Sequence, residues 1–289
     1  MDKLQIALER ARAEREQVLR AAANARAAAD LAPGQLRPDV AAAPPPPPQA
    51  PFADDATFVG IRTVETHPGL MLGTGAMPTD TASPIGAAYK MLRTRVLQKM
   101  QENGWNTLAV VSPTPNDGKT FTAINLAIAI AGDTKHTTLL VDFDLRKPSI
   151  ARRFGFEPEY GVEDCLTGRI GIAGALVAPS GYNKLVLLPA REPQQHSSEL
   201  LTSERAARLV KEIKDRYSNR IVIFDLPPVL GADDALAFAP LVDCALMVVG
   251  AGHTRKDDLA RSLEVLHKVP ILGTVLNGSR SDNSAGYVY

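Results

Sequence analysis

The sequence predicts an α/β fold in which a mostly parallel sheet carries helices on both faces. Three observations predict it: almost continuously apolar segments recur along the chain, amphipathic segments separate them, and a Gly-Lys-Thr follows the first apolar segment. Apolar strands that alternate with helices form parallel sheets buried on both faces. Ligands of such sheets bind beyond the carboxyl ends of the strands, so the functional residues are expected there.

The predicted elements follow in order along the chain. Strands are predicted at residues 108–112, 138–143, 184–188, 220–224, 245–249 and 271–276. Helices are predicted at residues 87–99, 121–131, 203–217 and 256–267. Because this pattern starts near residue 85, the compact domain is expected over residues 85–280.

Three further segments flank this domain. Residues 1–32 are rich in Ala, Arg and Glu with apolar residues at helical spacing, which predicts an amphipathic helix. Its thin apolar stripe leaves open whether it packs on its own chain or docks on a partner. Residues 33–84 include a run of prolines and predict a Pro-rich linker or arm. Residues 281–289 form a short tail with Tyr287 and Tyr289.

Composition and charge limit the class of protein. The chain has 289 residues, of which 45% are hydrophobic, enough for one sizeable core with appendages. Its 32 basic and 32 acidic side chains balance, so no nucleic-acid partner is expected. Cys165 and Cys244 lie among apolar neighbours and are expected to be buried, reduced thiols. Without a signal peptide or an apolar run of roughly 20 residues, a cytoplasmic location is expected.

The first predicted strand leads into Ser-Pro-Thr-Pro-Asn-Asp-Gly-Lys-Thr at residues 112–120, the arrangement of a P-loop. In a P-loop, backbone N–H groups at a helix N-terminus wrap the phosphates, Lys119 neutralises their charge and the Thr120 hydroxyl ligates Mg²⁺. Pro113 stands where the usual motif has its first Gly. With the strand before it and the helix after it, the segment nevertheless predicts ATP and Mg²⁺ as cofactors. Its predicted nucleotide-binding residues are Asn116, Asp117, Gly118, Lys119, Thr120 and Phe121.

Two predicted strands end in carboxylates. Asp142 and Asp144 lie at the carboxyl end of the second strand, and Asp225 follows the fourth. A lone acid after a strand is commonly a helix N-cap, and this reading suits Asp225 in isolation. Beside a P-loop, the acids instead predict an Mg²⁺ site whose other ligands are Thr120, phosphates and waters. A carboxylate near the γ-phosphate can also accept a proton from the attacking group, which is either water or a protein hydroxyl.

The order of these motifs resembles the bacterial tyrosine kinases of capsule and exopolysaccharide assembly, which are P-loop proteins. The resemblance spans residues 85–277. It rests on the loop at 112–120, on Asp-Phe-Asp-Leu-Arg at 142–146, on Asp-Leu-Pro-Pro at 225–228 and on Gly-Thr-Val-Leu-Asn at 273–277. Several such motifs in one order are more specific than a Gly-Lys-Thr alone.

The resemblance implies a role for each of these residues. The implied catalytic residues are Lys119, Asp142, Asp144 and Asp225, and the implied metal ligands are Thr120, Asp142 and Asp225. Asp142 is a metal-linked acid or base in this interpretation, and Asp225 is the Walker B acid. Arg146 supports the nucleotide site, and Asn277 contacts adenine.

A second group of proteins shares much of this pattern. The positioning ATPases of the ParA and MinD group have the sheet, the acid-ended strands and the final Asn, but their loop carries a signature Lys where this chain has Thr114. Thr114 therefore favours the kinase, and Pro115 also fits the kinase pattern. Asn116 and Asp117 replace a Gly and a Glu, and Asn tolerates a left-handed backbone better than most residues. A nucleotide-dependent scaffold of the polysaccharide assembly machinery is the third hypothesis.

The resemblance also implies a function and partners. It implies an ATP-dependent tyrosine autokinase that phosphorylates Tyr287 and Tyr289 in trans and regulates exopolysaccharide or capsule polymerisation and export. The implied partners are a membrane-embedded chain-length-control activator (a polysaccharide co-polymerase), further copies of the chain and a phosphotyrosine phosphatase. The activator would recruit the protein to the inner face of the cell membrane.

Two features bear on assembly and subgroup. The family's ring motif, Glu-x-x-Arg-x-x-Arg, corresponds here to Ala87, Lys90 and Arg93, which leaves the oligomeric state open. The opening residues 1–11 resemble the subgroup encoded with exosortase systems.

Overall fold

A computed structural model of the chain describes residues 61–66, 83–133, 135–216, 220–231 and 233–279. The predicted N-terminal helix at 1–32, the proline run and the tail with Tyr287 and Tyr289 lie outside the described residues.

The described part of the chain contains a sheet of eight strands. Their bounds are β1 Arg62–Val64, β2 Thr107–Val111, β3 Thr137–Asp142, β4 Val177–Pro179, β5 Leu185–Leu188, β6 Arg220–Asp225, β7 Cys244–Gly250 and β8 Ile271–Asn277. The strand order is β1-β4-β5-β3-β6-β2-β7-β8. All neighbouring strands pair in parallel except β4 and β5, which are antiparallel. The predicted mostly parallel sheet is confirmed.

Helices cover this sheet. Their bounds are α1 Pro84–Asn103, α2 Lys119–Ala131, α3 Ile150–Phe154, α4 Val162–Thr167, α5 Ile172–Ala175, α6 Ser197–Thr202, α7 Glu204–Arg216, α8 Asp234–Phe238 and α9 Lys256–Val265. The six predicted strands end within one residue of the observed bounds, and the four predicted helices end within a few. Helix α1 begins earlier than expected because the Ser83 hydroxyl caps it by accepting the Gly86 N–H at 3.0 Å.

Strands β1 and β4 were not predicted. Each has three residues, too few for a period-2 pattern to stand out, and β4 ends in a proline. Strand β1 lies inside the segment predicted as a Pro-rich linker, and its Val64 carbonyl accepts the Ser180 N–H at 2.8 Å. The pair extends the sheet beyond β5, on the side away from the P-loop strand.

Two hydrophobic clusters lie on opposite faces of the sheet. One cluster packs α1, α2 and α3 on the sheet, and the other packs α4, α6, α7 and α8. Phe143, Phe224 and Phe238 stack in the second cluster, with ring centroids 4.7–5.4 Å apart. Phe143 directly follows the last residue of β3, and Phe224 directly precedes the last residue of β6. The aromatic core therefore fixes the carboxyl ends of β3 and β6, where the acids lie.

Other expectations concern cysteines and membranes. Both cysteines are free thiols; Cys244 is buried as expected, whereas Cys165 is half-buried. Burial raises the pKa of each thiol to about 12, which makes both unreactive. Among the described residues no helix has the length and apolar character needed to cross a bilayer.

Candidate active site

The P-loop connects β2 to α2 and has two residues in the left-handed backbone region. Asn116 has φ 67° and Gly118 has φ 94°. The expectation that Asn116 tolerates this geometry is confirmed. A Cβ on Gly118 would lie 1.9 Å from Asn277 Nδ2, so both backbone angle and space require glycine there.

Lys119 and Thr120 form the first turn of α2 and both reach carboxylates. Lys119 Nζ lies 2.6 Å from Asp144 Oδ2 and 3.6 Å from Asp225 Oδ1. Thr120 Oγ1 donates to Asp225 Oδ2 at 2.6 Å. Burial lowers the pKa of Lys119, but the charges of Asp225 and Asp144 outweigh burial and hold the pKa above its usual value. Lys119 is therefore charged, and it lies where the P-loop meets helix α2.

Asp142 and Asp225 are cross-strand neighbours at the ends of β3 and β6, and both are fully buried. Asp142 Oδ2 accepts the backbone N–H groups of Ser149 at 2.9 Å and Ile150 at 3.0 Å. The Oδ1 atom of each aspartate has no hydrogen-bond partner among the described residues. Buried carboxylate oxygens without hydrogen bonds are costly, and of these two only Asp225 Oδ1 lies near a cation among the described residues, the Lys119 ammonium at 3.6 Å, so the pair is a candidate ligand site.

Burial shifts the pKa of both carboxyls upward. Burial and the charge of Asp225 raise the pKa of Asp142 to about 8, against two backbone hydrogen bonds that lower it. Burial also raises the pKa of Asp225, although Lys119 and Thr120 oppose the rise. A carboxyl with a pKa near neutrality is suited to accept a proton during catalysis at neutral pH.

The donors present fit a hard divalent cation. Within the described residues no group of three or more His, Cys, Asp or Glu side chains could hold a metal alone. Thr120 Oγ1 and the unpartnered oxygens of Asp142 and Asp225 nevertheless form an all-oxygen set, the type that Mg²⁺ completes with phosphates and waters. The predicted metal ligands Thr120, Asp142 and Asp225 are thus together in the structure.

Asp144 and Arg146 have different surroundings. Asp144 lies beyond the end of β3, and its carboxylate contacts Lys119. Arg146, predicted at the nucleotide, instead directs its Nε to Asp234 Oδ2 at 2.8 Å and to Ser197 Oγ at 3.1 Å. Ser197 in turn donates to Asp234 at 2.9 Å. The structure joins Arg146 to the start of α8 and α6, and its role toward nucleotide stays a prediction.

Three other residues predicted at the nucleotide contact protein groups in this structure. The Asp117 carboxylate accepts hydrogen bonds from Thr114, His253 and Thr254. The Asn277 amide donates to the Asp117 carbonyl at 3.0 Å, and the Phe121 ring packs edge-on against Tyr89 with centroids 6.1 Å apart. The side chains of Asp117 and Phe121 therefore face protein in this structure, and their contacts with nucleotide stay predictions.

Sequence reasoning missed several residues of the site. The Ser149 and Ile150 N–H groups that hold Asp142 open helix α3, and a Ser before an apolar residue was the available signal for that helix start. Asp234, the fully buried partner of Arg146, also went unnoticed because nothing near it in the sequence marks its partner.

The ring-motif positions lie on α1. Ala87 and Lys90 are exposed, whereas Arg93 is half-buried and donates to the Ala129 carbonyl at 3.3 Å.

Known proteins resemble this chain in sequence and in structure. No family model matches the chain. The tyrosine-protein kinase YwqD of Bacillus subtilis is 30% identical over 213 residues, which make up 73% of this chain and 88% of YwqD. The chain belongs to the bacterial tyrosine-protein kinases.

Longer relatives match this bacterial tyrosine-protein kinase over a part of their length. ExoP of Rhizobium meliloti, named a succinoglycan biosynthesis transport protein, is 35% identical over 178 residues, which are 59% of this chain and 22% of ExoP. The chain likewise spans 28% of the curated tyrosine-protein kinase etk of Escherichia coli.

Solved structures agree with the family assignment. The kinase domain of the Escherichia coli tyrosine kinase ETK superposes with a TM-score of 0.63 at 29% identity, covering 70% of this chain and 79% of that domain. The cell division ATPase MinD of Pyrococcus furiosus superposes with a TM-score of 0.53 at 25% identity, covering 61% of this chain and 74% of MinD. The predicted P-loop fold and the membership in the tyrosine-protein kinases are confirmed, and the positioning ATPases share the fold of this bacterial tyrosine-protein kinase.

Proposed function

We propose that this chain uses ATP and Mg²⁺ to phosphorylate tyrosines on other copies of itself, and that this reaction regulates exopolysaccharide polymerisation and export. One observation carries the proposal: Lys119, Thr120, Asp142 and Asp225 meet in one buried cluster in which two carboxylate oxygens have no hydrogen-bond partner among the described residues. Charge neutralisation and positioning at such a cluster account for most of phosphoryl transfer.

The proposed roles follow from the surroundings of each group. Lys119 binds the β- and γ-phosphates, and Thr120 with Asp225 holds the cation, which when bound neutralises phosphate charge. Asp142 accepts the proton of the attacking tyrosyl hydroxyl, because its pKa is raised to about 8, close to neutrality. The phenolic oxygen bonds to the γ-phosphorus while the bond to the bridging oxygen of ADP breaks.

The proposed acceptors are Tyr287 and Tyr289 of a second copy. Both lie in a short polar segment at the end of the chain, the kind of segment that can enter a neighbouring site. Asn277, the last residue of β8, contacts the P-loop and lies ten residues before Tyr287 in the sequence.

The name of one relative supports the proposed process, and the family resemblance of the sequence supplies the proposed partners. ExoP is named for succinoglycan biosynthesis and transport, and the matched part is about a fifth of its length. We therefore propose a membrane-embedded chain-length-control protein as activator, recruitment to the inner face of the membrane by this activator, and a phosphotyrosine phosphatase that reverses the modification.

Labelled ATP tests the proposal directly. The purified protein, incubated with ATP labelled at the γ-phosphate and Mg²⁺, is expected to incorporate label that mass spectrometry maps to Tyr287 and Tyr289. Lys119→Met should reduce incorporation about 100-fold or more. Lys211→Met is the matched control, since Lys211 is exposed on α7 and pairs with Asp215 away from the cluster.

The alternatives give different results. ATP hydrolysis without tyrosine labelling would favour a positioning ATPase of the ParA and MinD kind. Nucleotide binding without either reaction would favour a nucleotide-dependent scaffold. Unchanged labelling after Tyr287→Phe combined with Tyr289→Phe would remove the tail from the mechanism.

A further inference from the structure

Asp117 is the acidic residue of the P-loop, and both of its carboxylate oxygens have hydrogen-bond partners. It is almost fully buried, and Oδ2 accepts the Thr114 N–H at 2.8 Å and the Thr114 hydroxyl at 2.9 Å. Oδ1 accepts the Thr254 hydroxyl at 2.6 Å and lies 2.8 Å from His253 Nδ1. Burial raises the pKa of Asp117, but these hydrogen bonds outweigh burial and hold the pKa below its usual value. Asp117 is therefore ionised, and His253 Nδ1 must carry the hydrogen.

His253 and Thr254 belong to the turn that follows β7. Thr254 Oγ1 accepts the Gly250 N–H at 2.8 Å while it donates to Asp117, so the hydroxyl joins the turn to the loop. A Cβ on Gly250 would lie 2.9 Å from Asp117 Oδ1, which shows how closely the two segments approach. The turn thus presents two donors to one carboxylate oxygen, although the residues lie about 137 positions apart in sequence.

This P-loop depends on outside support more than a glycine-rich loop would. The usual first Gly is Pro113, and Asn116 holds a left-handed angle that non-glycine residues adopt at some cost. Thr114 follows Pro113 and Asp117 follows Asn116, so their hydrogen bonds hold the loop next to both positions, and the Asn277 amide adds a contact from the end of β8. A loop that must present its N–H groups to phosphate gains affinity when its bound conformation is fixed beforehand.

We infer that His253 and Thr254 are positioning residues for phosphate binding, which act through the Asp117 carboxylate and touch neither nucleotide phosphate nor metal themselves. Losing either donor removes one of the two hydrogen bonds between Asp117 and the β7 turn, so the loop leaves its phosphate-binding conformation more easily. Part of the free energy of nucleotide binding is then used to order the loop, so the nucleotide affinity falls. The catalytic acids keep their geometry. The inference rests on the proposed binding of ATP by this loop.

Paired variants separate the donor from the rest of the side chain. Thr254→Val removes the hydroxyl and Thr254→Ser keeps it. His253→Ala removes the ring nitrogen, whereas His253→Asn places an amide N–H near the Nδ1 position. Each is compared with wild type by titration of a fluorescent ADP analogue with Mg²⁺ and by the KM for ATP and the kcat of tyrosine labelling. His267→Ala is the matched control, because His267 is exposed at the end of α9 and contacts a helix carbonyl.

The expected result is a rise of about tenfold in the Kd for the ADP analogue and in the KM for ATP in Thr254→Val and His253→Ala, with kcat within about twofold. Thr254→Ser and His253→Asn should recover most of the affinity, and His267→Ala should match wild type. Thermal unfolding of every variant checks folding, and only variants that unfold cooperatively near the wild-type Tm are scored.

Three outcomes would overturn the inference: wild-type affinity in Thr254→Val and His253→Ala, equal losses in Thr254→Ser and Thr254→Val, or a fall in kcat at unchanged KM. Failure of the proposed function looks different, because wild-type protein would then bind the ADP analogue without labelling tyrosine, or would not bind it.

Discussion

The parallel strands of the sheet begin at one side, the amino edge, and end at the other, the carboxyl edge. Half-buried Asp243 lies at the amino edge and fully buried Asp142 and Asp225 lie at the carboxyl edge, and their surroundings differ. At the amino edge, Asp243 precedes β7 and accepts the N–H groups of Asn106 and Thr107 at 3.0 Å, the Thr107 hydroxyl at 2.8 Å and the Lys214 ammonium. At the carboxyl edge, Asp142 and Asp225 each keep an oxygen without a hydrogen-bond partner among the described residues.

The pKa shifts follow this difference. Burial raises the pKa of Asp243, but Lys214 and the backbone donors outweigh it and lower the pKa below its usual value. Burial raises the pKa of Asp142 to about 8 because its donors do not compensate. At the amino edge, one carboxylate therefore links β2, β7 and α7 through hydrogen bonds. At the carboxyl edge, the charge of the carboxylates is poorly compensated by the protein and is suited to a bound ligand. The hydrogen-bonded acid of the amino edge stabilises the fold, whereas the buried acids of the carboxyl edge destabilise it.

The largest expected effect comes from the carboxyl edge. Asp142→Asn should lower the rate of tyrosine labelling about 10²- to 10³-fold, because an amide cannot accept the tyrosyl proton. The free energy of unfolding in urea at pH 8, without nucleotide and Mg²⁺, should stay the same or rise, since a buried charge is removed. A loss of stability of more than about 1 kcal/mol would contradict the comparison, because Asp142 would then act as a structural acid.

The next effect tests the amino edge. Asp243→Asn should lower the free energy of unfolding by about 2 kcal/mol at pH 7, since four donors lose a charged acceptor, and should leave kcat unchanged. The folded pKa of Asp243 is lowered, so its stabilisation is present above the unfolded pKa of about 3.9 and is lost as the pH falls through the folded pKa. Urea unfolding from pH 7 to pH 3 should therefore show the difference between variant and wild type shrinking below about pH 4.

Asp215→Asn controls for a general loss of charge. Asp215 is exposed and pairs with Lys211 on one helix, where an ion pair contributes little. A loss in Asp215→Asn equal to that of Asp243→Asn, or a loss in Asp243→Asn that is as large at pH 3 as at pH 7, would argue against the hydrogen-bonded carboxylate as its origin.

The sequence predicted the carboxyl edge far better than the amino edge. Asp142 and Asp225 could be found because the ends of parallel strands gather ligand-binding residues, and both follow long apolar strands. Asp243 could not, since its partners Asn106 and Lys214 become neighbours only through the strand order, in which β7 lies beside β2. The same reason hid the contact of Asp117 with the turn after β7, and it left β1 and β4, three residues each, below the length at which a pattern is visible.

The smallest expected effect concerns a single hydroxyl at the amino edge. The Thr107 hydroxyl donates to Asp243 Oδ2 at 2.8 Å and accepts the Asp243 N–H at 2.9 Å, so Thr107→Val should lower the free energy of unfolding by about 1 kcal/mol without changing kcat. Thr138→Val is the matched substitution on β3, because the buried Thr138 hydroxyl has no hydrogen-bond partner among the described residues. It should be neutral or slightly stabilising, since it removes an unsatisfied polar group and keeps the shape of the side chain. If both variants lose the same free energy of unfolding, the loss comes from packing of the substituted side chain. The amino edge would then be stabilised by the core and not by hydrogen bonds to Asp243.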